Sequence, residues 1–342
     1  DMSLKCFVQE IGVIRSKLDE EDCSTWKLLA DAHFKAGMLY KIMKDTEEAI
    51  EHLSKALDYT KRYSNEESHR LATITDALGM LYASKEEFEE AKKYYSSAYS
   101  IYEKVSRNDQ ITSDCVFRLS KVLEVLKSEL TLDFYKESLR VQRVNVEKDD
   151  ERVAEILFCL GRVCLTSGLH RDAVKYFEEA LTLRKQLRKD SVDVADTYHH
   201  LGMAHDKLKE REKALIFFKE SVRINKSNSD KNALYRVSLD MANCAAACSQ
   251  FSLAIDSYND CLMATDGLEN RRHDADVLQR MGDIQLHKLR NFEDATKHFL
   301  DALEMCRASE HPDSNCDIDE HTTGSNEEEK SSTVLTLLYK TA

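Results

Sequence analysis

The side chains best equipped for chemistry are histidines and cysteines at short spacing. The stretch YHHLGMAH carries His199, His200 and His205. Imidazoles are common metal ligands. His200 and His205, however, stand five residues apart, a poor spacing for one helix face. No carboxylate is placed as in H-E-x-x-H. Cys244 and Cys248 are four apart and share a helix face, but a closed zinc site needs a second pair of ligands nearby. Cys159 and Cys164 are five apart. This spacing favours packing or groove histidines and buried thiols over a metal centre. No nucleophile elbow, Walker loop or glycine-rich dinucleotide loop occurs. The expectation is a protein with no catalytic residues, no metal and no cofactor.

The elements that carry these residues recur. A small residue opens a helical stretch at Ala49, Ala91, Thr131, Ala173, Ala214, Ala254 and Ala295, at intervals of 40 to 42. Four residues later stands a large side chain: Leu53, Tyr95, Tyr135, Phe177, Phe218, Tyr258 and Phe299. Three further on a small one returns: Ala56, Ala98, Ser138, Ala180, Ser221, Cys261 and Ala302. Steps of four and three lie on one helix face. The order small, large, small predicts two close helix approaches around one ring that fills the gap.

An earlier helix in each unit has its own mark. A large apolar residue precedes a small one at Leu78-Gly79, Leu119-Ser120, Leu160-Gly161, Leu201-Gly202, Met241-Ala242 and Met281-Gly282, and the first unit has Ala36-Gly37. Five of the nine glycines occupy this slot. Glycine inside a helix costs about 1 kcal/mol relative to alanine, so its return at one register argues for close helix contact. A fixed period of this length is the signature of a repeat array.

The pattern resembles the tetratricopeptide-repeat family, over about residues 25–308. The family's opening Trp slot here holds His33, Thr75, Val116, Leu157, Tyr198, Ser238 and Leu278, and the only proline is Pro312. The period near 41 resembles the long-repeat branch that includes kinesin light chain and nephrocystin-type proteins. Kinesin light chains hold cargo backbone with asparagines just before the Leu-small pair. Here those positions are Lys35, Ala77, Cys159, His200, Asp240 and Arg280. The resemblance therefore implies the architecture and a general binding role, not the cargo specificity. It implies an all-α fold, a right-handed superhelical α-solenoid of helix-turn-helix units.

Composition bounds the function classes. The chain has 342 residues, one proline and nine glycines, which leaves little turn chemistry for strands. A net charge of −13 disfavours a nucleic-acid backbone as partner. No apolar run reaches membrane-spanning length. Ten cysteines without a disulfide framework point to a reducing, cytoplasmic setting. Residues 1–24, with Leu4, Phe7, Val8, Ile11, Ile14 and Leu18 on one stripe, read as the end of an earlier repeat or a cap. Seven repeats are expected in 25–308, the third with an inner turn one residue short and the seventh with one extra residue near His287–Asn291. Residues 309–332 read as an acidic flexible linker, and 333–342 as the start of a further helix.

By the family resemblance, the first helices line a concave groove. The side chains facing it are expected to be Phe34, Met38, Asp76, Met80, Phe158, Arg162, His199, Met203, Leu239, Asn243, Gln279 and Asp283. Arg162, Lys207 and Arg236 are expected to form a basic spot for an acidic group. Met-bearing surfaces adapt to different partners. The expected function is a protein-interaction scaffold for a partner peptide or helix. The alternative is a structural spacer or self-associating rod.

Overall fold

A computed structural model describes residues 23–63, 68–144, 150–265 and 271–310, together with Gly12. These residues form fourteen α-helices and one π-helical turn, with no strand among them. The chain divides into two units, Asp1–Ser167 and Gly168–Ala342. The first unit holds α1 (Cys23–Ile42), α2 (Thr46–Tyr63), α3 (His69–Ser84), α4 (Phe88–Val105), α5 (Gln110–Val125), α6 (Thr131–Val144) and α7 (Asp150–Thr166). The second holds α8 (His170–Leu187), α9 (Val192–Lys207), α10 (Arg211–Asn228), α11 (Lys231–Ala247), α12 (Phe251–Thr265), α13 (Arg271–Ile284), the π-turn Gln285–Leu289 and α14 (Phe292–Glu310).

In the first unit α1/α2, α3/α4 and α5/α6 pair as hairpins. Each second helix then packs on the next first helix, ending at α7. In the second unit α8 packs on α9, and α9/α10, α11/α12 and α13/α14 form hairpins stacked in the same way. Each unit is thus a run of all-α solenoid hairpins held by neighbour contacts. The expected N-terminal cap and most of the expected linker and further helix lie outside the described residues. Helix α14 itself runs to Glu310, just past the expected start of the linker.

The small-large-small code is the core. All seven rings or leucines at the large slot and all fourteen flanking small residues are buried. The residues at the family's Trp slot, His33, Thr75, Val116, Leu157, Tyr198, Ser238 and Leu278, are buried too. Burying one such large side chain is worth roughly 1.5–3 kcal/mol. Glycine makes room for it. A Cβ built on Gly37 would meet Leu53 at 2.7 Å, and one on Gly79 would meet Tyr95 at 2.7 Å. At Gly202 it would meet Phe218 at 2.4 Å, and at Gly282 it would meet Phe299 at 2.5 Å. Where Ser or Cys fills the third slot, its polar atom reaches back to the hairpin's first helix. Ser221 Oγ donates to the Ala195 carbonyl at 2.8 Å, and Cys261 Sγ to that of Tyr235 at 3.6 Å. These bonds satisfy buried hydroxyl and thiol groups that would otherwise cost energy.

The inner turns share one backbone device. Lys44, Glu86, Lys127, Gly168, Lys209, Ser249 and Arg290 all have positive φ, between 52° and 78°. Each left-handed residue reverses the chain before the next helix. It follows the first-helix contact slot by seven residues in six turns and by eight at Arg290. The extra residue expected near His287 is absorbed as the π-helical turn Gln285–Leu289. In the third unit the shortening falls after Lys127, which precedes the small slot by four residues instead of five. Polar linkers cap the outer ends. Ser68, Ser191 and Asp230 accept bonds from the amides of Leu71, Val194 and Ala233. Asp109 stands at the cap position of α5 without a side-chain bond.

Candidate functional site

The candidate surface is built from the first helices: α1, α3, α5 and α7 in one unit, and α9, α11 and α13 in the other. One small-residue face of α1, α3, α5, α9, α11 and α13 is spent on its hairpin partner. The flank that remains meets the neighbouring first helices, and there the polar residues pair laterally.

In the first unit Asp31 on α1 pairs with Arg70 on α3, whose guanidinium also covers the Phe34 ring. Lys41 Nζ reaches Met80 Sδ at 3.2 Å, and burial lowers its pKa. Asp76 on α3 receives Arg118 of α5 in a fork, Nη2 to Oδ2 at 2.6 Å and Nε to Oδ1 at 3.3 Å. Bidentate geometry of this kind is strong and directional. Burial pushes the Asp76 carboxyl above its ordinary value, and Arg118 pulls it part of the way back. Lys121 of α5 pairs with Glu155 of α7 at 2.8 Å, and Glu124 of α5 with Arg162 of α7. The hydroxyl of the buried Tyr135 also donates to Glu124 at 2.7 Å, so one carboxylate joins the hairpin core to the surface row.

In the second unit His199 Nε2 lies 2.7 Å from Asp240 Oδ2 on α11. Asn243 Oδ1 accepts from the buried Tyr258 hydroxyl at 2.8 Å and from Arg280 Nη1 of α13 at 3.4 Å. The row thus repeats one motif, a polar group on one first helix bound by the next.

The expected groove residues sort by depth. Asp76, Phe158 and His199 are buried. Phe34, Met38, Met80, Arg162, Met203, Leu239, Asn243, Gln279 and Asp283 are half-buried, and Lys207 and Arg236 are exposed. The expected basic spot is not uniform: Arg162 is bound by Glu124 within its own unit, while Lys207 and Arg236 stand open on α9 and α11. Sequence reasoning missed the acceptors Asp31, Glu124 and Glu155 and the donors Arg70 and Arg118. The signal was an opposite charge 34 to 42 residues away, one repeat on, which only the stacking turns into a contact.

The histidines separate. His205 stacks on Phe217 at 5.2 Å, and its Nδ1 lies 2.9 Å from Glu210 Oε2. His199 and His200 instead share their neighbourhood with Asp196, one turn earlier on α9. Cys244 is buried, and its Sγ donates to the Arg211 carbonyl at 3.7 Å. Burial raises its pKa to about 12, which keeps the thiol protonated at neutral pH. No helix among the described residues is long and apolar enough to cross a membrane.

Two family models, both described as tetratricopeptide repeat, match the chain, one over residues 28–104 and 127–186 and the other over 195–228. Together they cover half of it. Comparison with curated proteins gives no match. Solved structures do. A signal-transduction ATPase with a tetratricopeptide-repeat sensor from Pyrococcus horikoshii is similar at a TM-score of 0.62 and 17% identity, over 83% of this chain and 44% of that one. The C-terminal part of a repeat protein from Cytophaga hutchinsonii is similar at 0.59 and 18%, over 80% of this chain and 95% of that one. A Podosopora anserina protein described as a kinesin light chain with TPR-like repeats is similar at 0.50 and 15%, over 58% of this chain and 96% of that one. At these identities the likeness concerns the fold.

Proposed function

Given that the chain belongs to the tetratricopeptide-repeat family, we propose that it is a protein-interaction scaffold whose first-helix face holds a peptide or helix of a partner. Repeats of this family bind protein partners in general. The observation that supports this face is the pairing pattern. Lateral pairs such as Asp76–Arg118 tie up charges that would otherwise demand water, and His199–Asp240 ties up polar groups in the second unit. Within the second unit Met203 and Leu239 are left half-buried on the same first helices. An apolar strip between neutralised polar groups suits an amphipathic segment with spaced apolar anchors. The exposed Lys207 and Arg236 suit an acidic group on that segment.

The test uses Met203→Ala combined with Leu239→Ala. Both side chains only edge the core of the second unit. Affinity purification with the wild-type protein should capture a partner that the double variant fails to hold, at an unchanged helical circular-dichroism signal. Equal capture by both would remove this face. Self-association has one favourable observation, the exposed Ile216, Met263 and Leu300 on second helices. Light scattering across a concentration series decides it, because a constant monomer mass excludes a rod.

A further inference from the structure

We propose that Asp196, His199 and His200 form a site for a divalent transition-metal ion of the Zn2+ class, supported by the carboxylate of Asp240. The three residues stand at i, i+3 and i+4 on α9, and each presents a potential ligand atom within 4.8 Å of the others. Among the described residues no other set of three or more His, Cys, Asp or Glu side chains converges in this way. Ligands on tetrahedral zinc stand about 3.3–3.6 Å apart, from bond lengths of about 2.0–2.2 Å. Closing the site therefore takes side-chain rotations of about an ångström. Asp196 and His200 are half-buried.

The surroundings are those of a metal-binding imidazole pair. Ligating histidines usually give their other nitrogen to a carboxylate or a carbonyl, which fixes the tautomer and the ring orientation. The His199 ring does so. His199 Nε2 is held at 2.7 Å by Asp240 Oδ2, and His200 Nδ1 lies 2.9 Å from the Asp196 carbonyl. The proton is thereby placed on His199 Nε2, which leaves His199 Nδ1 as its basic nitrogen, while His200 Nδ1, which also lies 3.6 Å from Asp196 Oδ1, exchanges the carbonyl for the ion. Phe177 lies 5.6 Å from the His200 ring and Phe218 lies 5.9 Å from the His199 ring, so each imidazole has an apolar neighbour. Two carboxylates, Asp196 and Asp240, balance the charge of a dication. Two imidazoles with few oxygens select Zn2+, Co2+ or Ni2+ over Ca2+ and Mg2+. Because Asp240 belongs to α11, a bound ion would brace the contact between two successive first helices.

The test is titration of the full chain with Zn2+ and Co2+, followed by calorimetry and visible absorption, with Mg2+ as control. The expected result is one saturable equivalent whose Co2+ bands lack thiolate charge transfer. Asp196→Asn and His200→Gln should abolish it, Asp240→Asn should weaken it about 10–100-fold, and Cys244→Ser with Cys248→Ser should leave it unchanged. No saturable binding by the wild type, a thiolate band, or binding that survives Asp196→Asn would overturn the proposal. Asp196→Asn decides the matter even if His200→Gln unfolds, because the Asp196 side chain is about one-third exposed (36%) and its replacement leaves the helix intact. Partner capture plays no part in this readout, so the proposal stands or falls separately from the scaffold function.

Discussion

Phe218 lies against Gly202 so closely that a Cβ added to the glycine would sit 2.4 Å from ring atom Cε1 and 2.5 Å from Cδ1. Neither partner can yield. The ring is buried, and Ala214 and Ser221 on either side of it are buried as well. The contact slot and the ring slot are therefore one interaction seen from two helices.

Gly202→Ala sets two effects against each other. Alanine gains about 1 kcal/mol of helix propensity, while overpacking a rigid core costs about 1–3 kcal/mol. A contact below 3 Å on a fixed ring makes the steric term dominate, so a net loss is expected. Thermal melting should move down, and adding Phe218→Leu should recover part of the loss. A raised midpoint for the single variant would contradict this packing.

The inner turns predict the opposite sign for a glycine gained. Lys209 holds φ at 65° with a full side chain, a conformation that costs L-residues roughly 1–2 kcal/mol. Its counterpart Gly168 occupies the same register at φ 78°. Lys209→Gly should stabilise by a few tenths to about 1 kcal/mol, since part of the relief is offset by glycine's freedom in the unfolded chain. Urea denaturation measures it, and a loss of stability would refute the strain argument.

The Asp76–Arg118 pair makes a pH-dependent prediction. Arg118→Ala leaves a buried carboxylate without its cation and should cost about 3 kcal/mol at neutral pH, the low end for buried pairs because the guanidinium is a quarter exposed (27%). Burial already raises the Asp76 pKa above its ordinary 3.8, and losing Arg118 raises it further. A raised carboxyl contributes stability that is full below 3.8 and lost as pH rises through the folded value. The deficit of the variant should thus be small at about pH 4 and grow toward pH 7. A deficit independent of pH would show that Asp76 is not the group left behind.

Thiol reactivity should follow burial. Burial pushes Cys115 well up and raises Cys261 to about 12. Cys248 and Cys306 are half-buried. Among these described cysteines, alkylation of the native protein at about pH 8 should label Cys248 and Cys306 first, and Cys115, Cys159, Cys164 and Cys261 only on unfolding. Peptide mass spectrometry after a timed pulse reads the order.

Much of the fold was legible because its determinants are local. Steps of three and four along one helix reveal the face, and the near-constant period reveals the hairpin. Ala173, Ala214 and Ala254 are buried as that face requires. The one-residue excess in the seventh repeat was visible as a count, although its absorption as a π-turn rather than a longer loop was not.

The candidate site was legible only in outline. Sequence by itself determined which helices are first in each hairpin and which positions flank the contact slot, because helix geometry maps spacing onto direction. The tertiary structure decided that Arg118 reaches Asp76, that Arg162 is taken by Glu124, and that Asp240 holds His199. These pairings depend on the ångström-scale rise and rotation between stacked hairpins, which arises from packing across about forty residues and has no trace in local spacing.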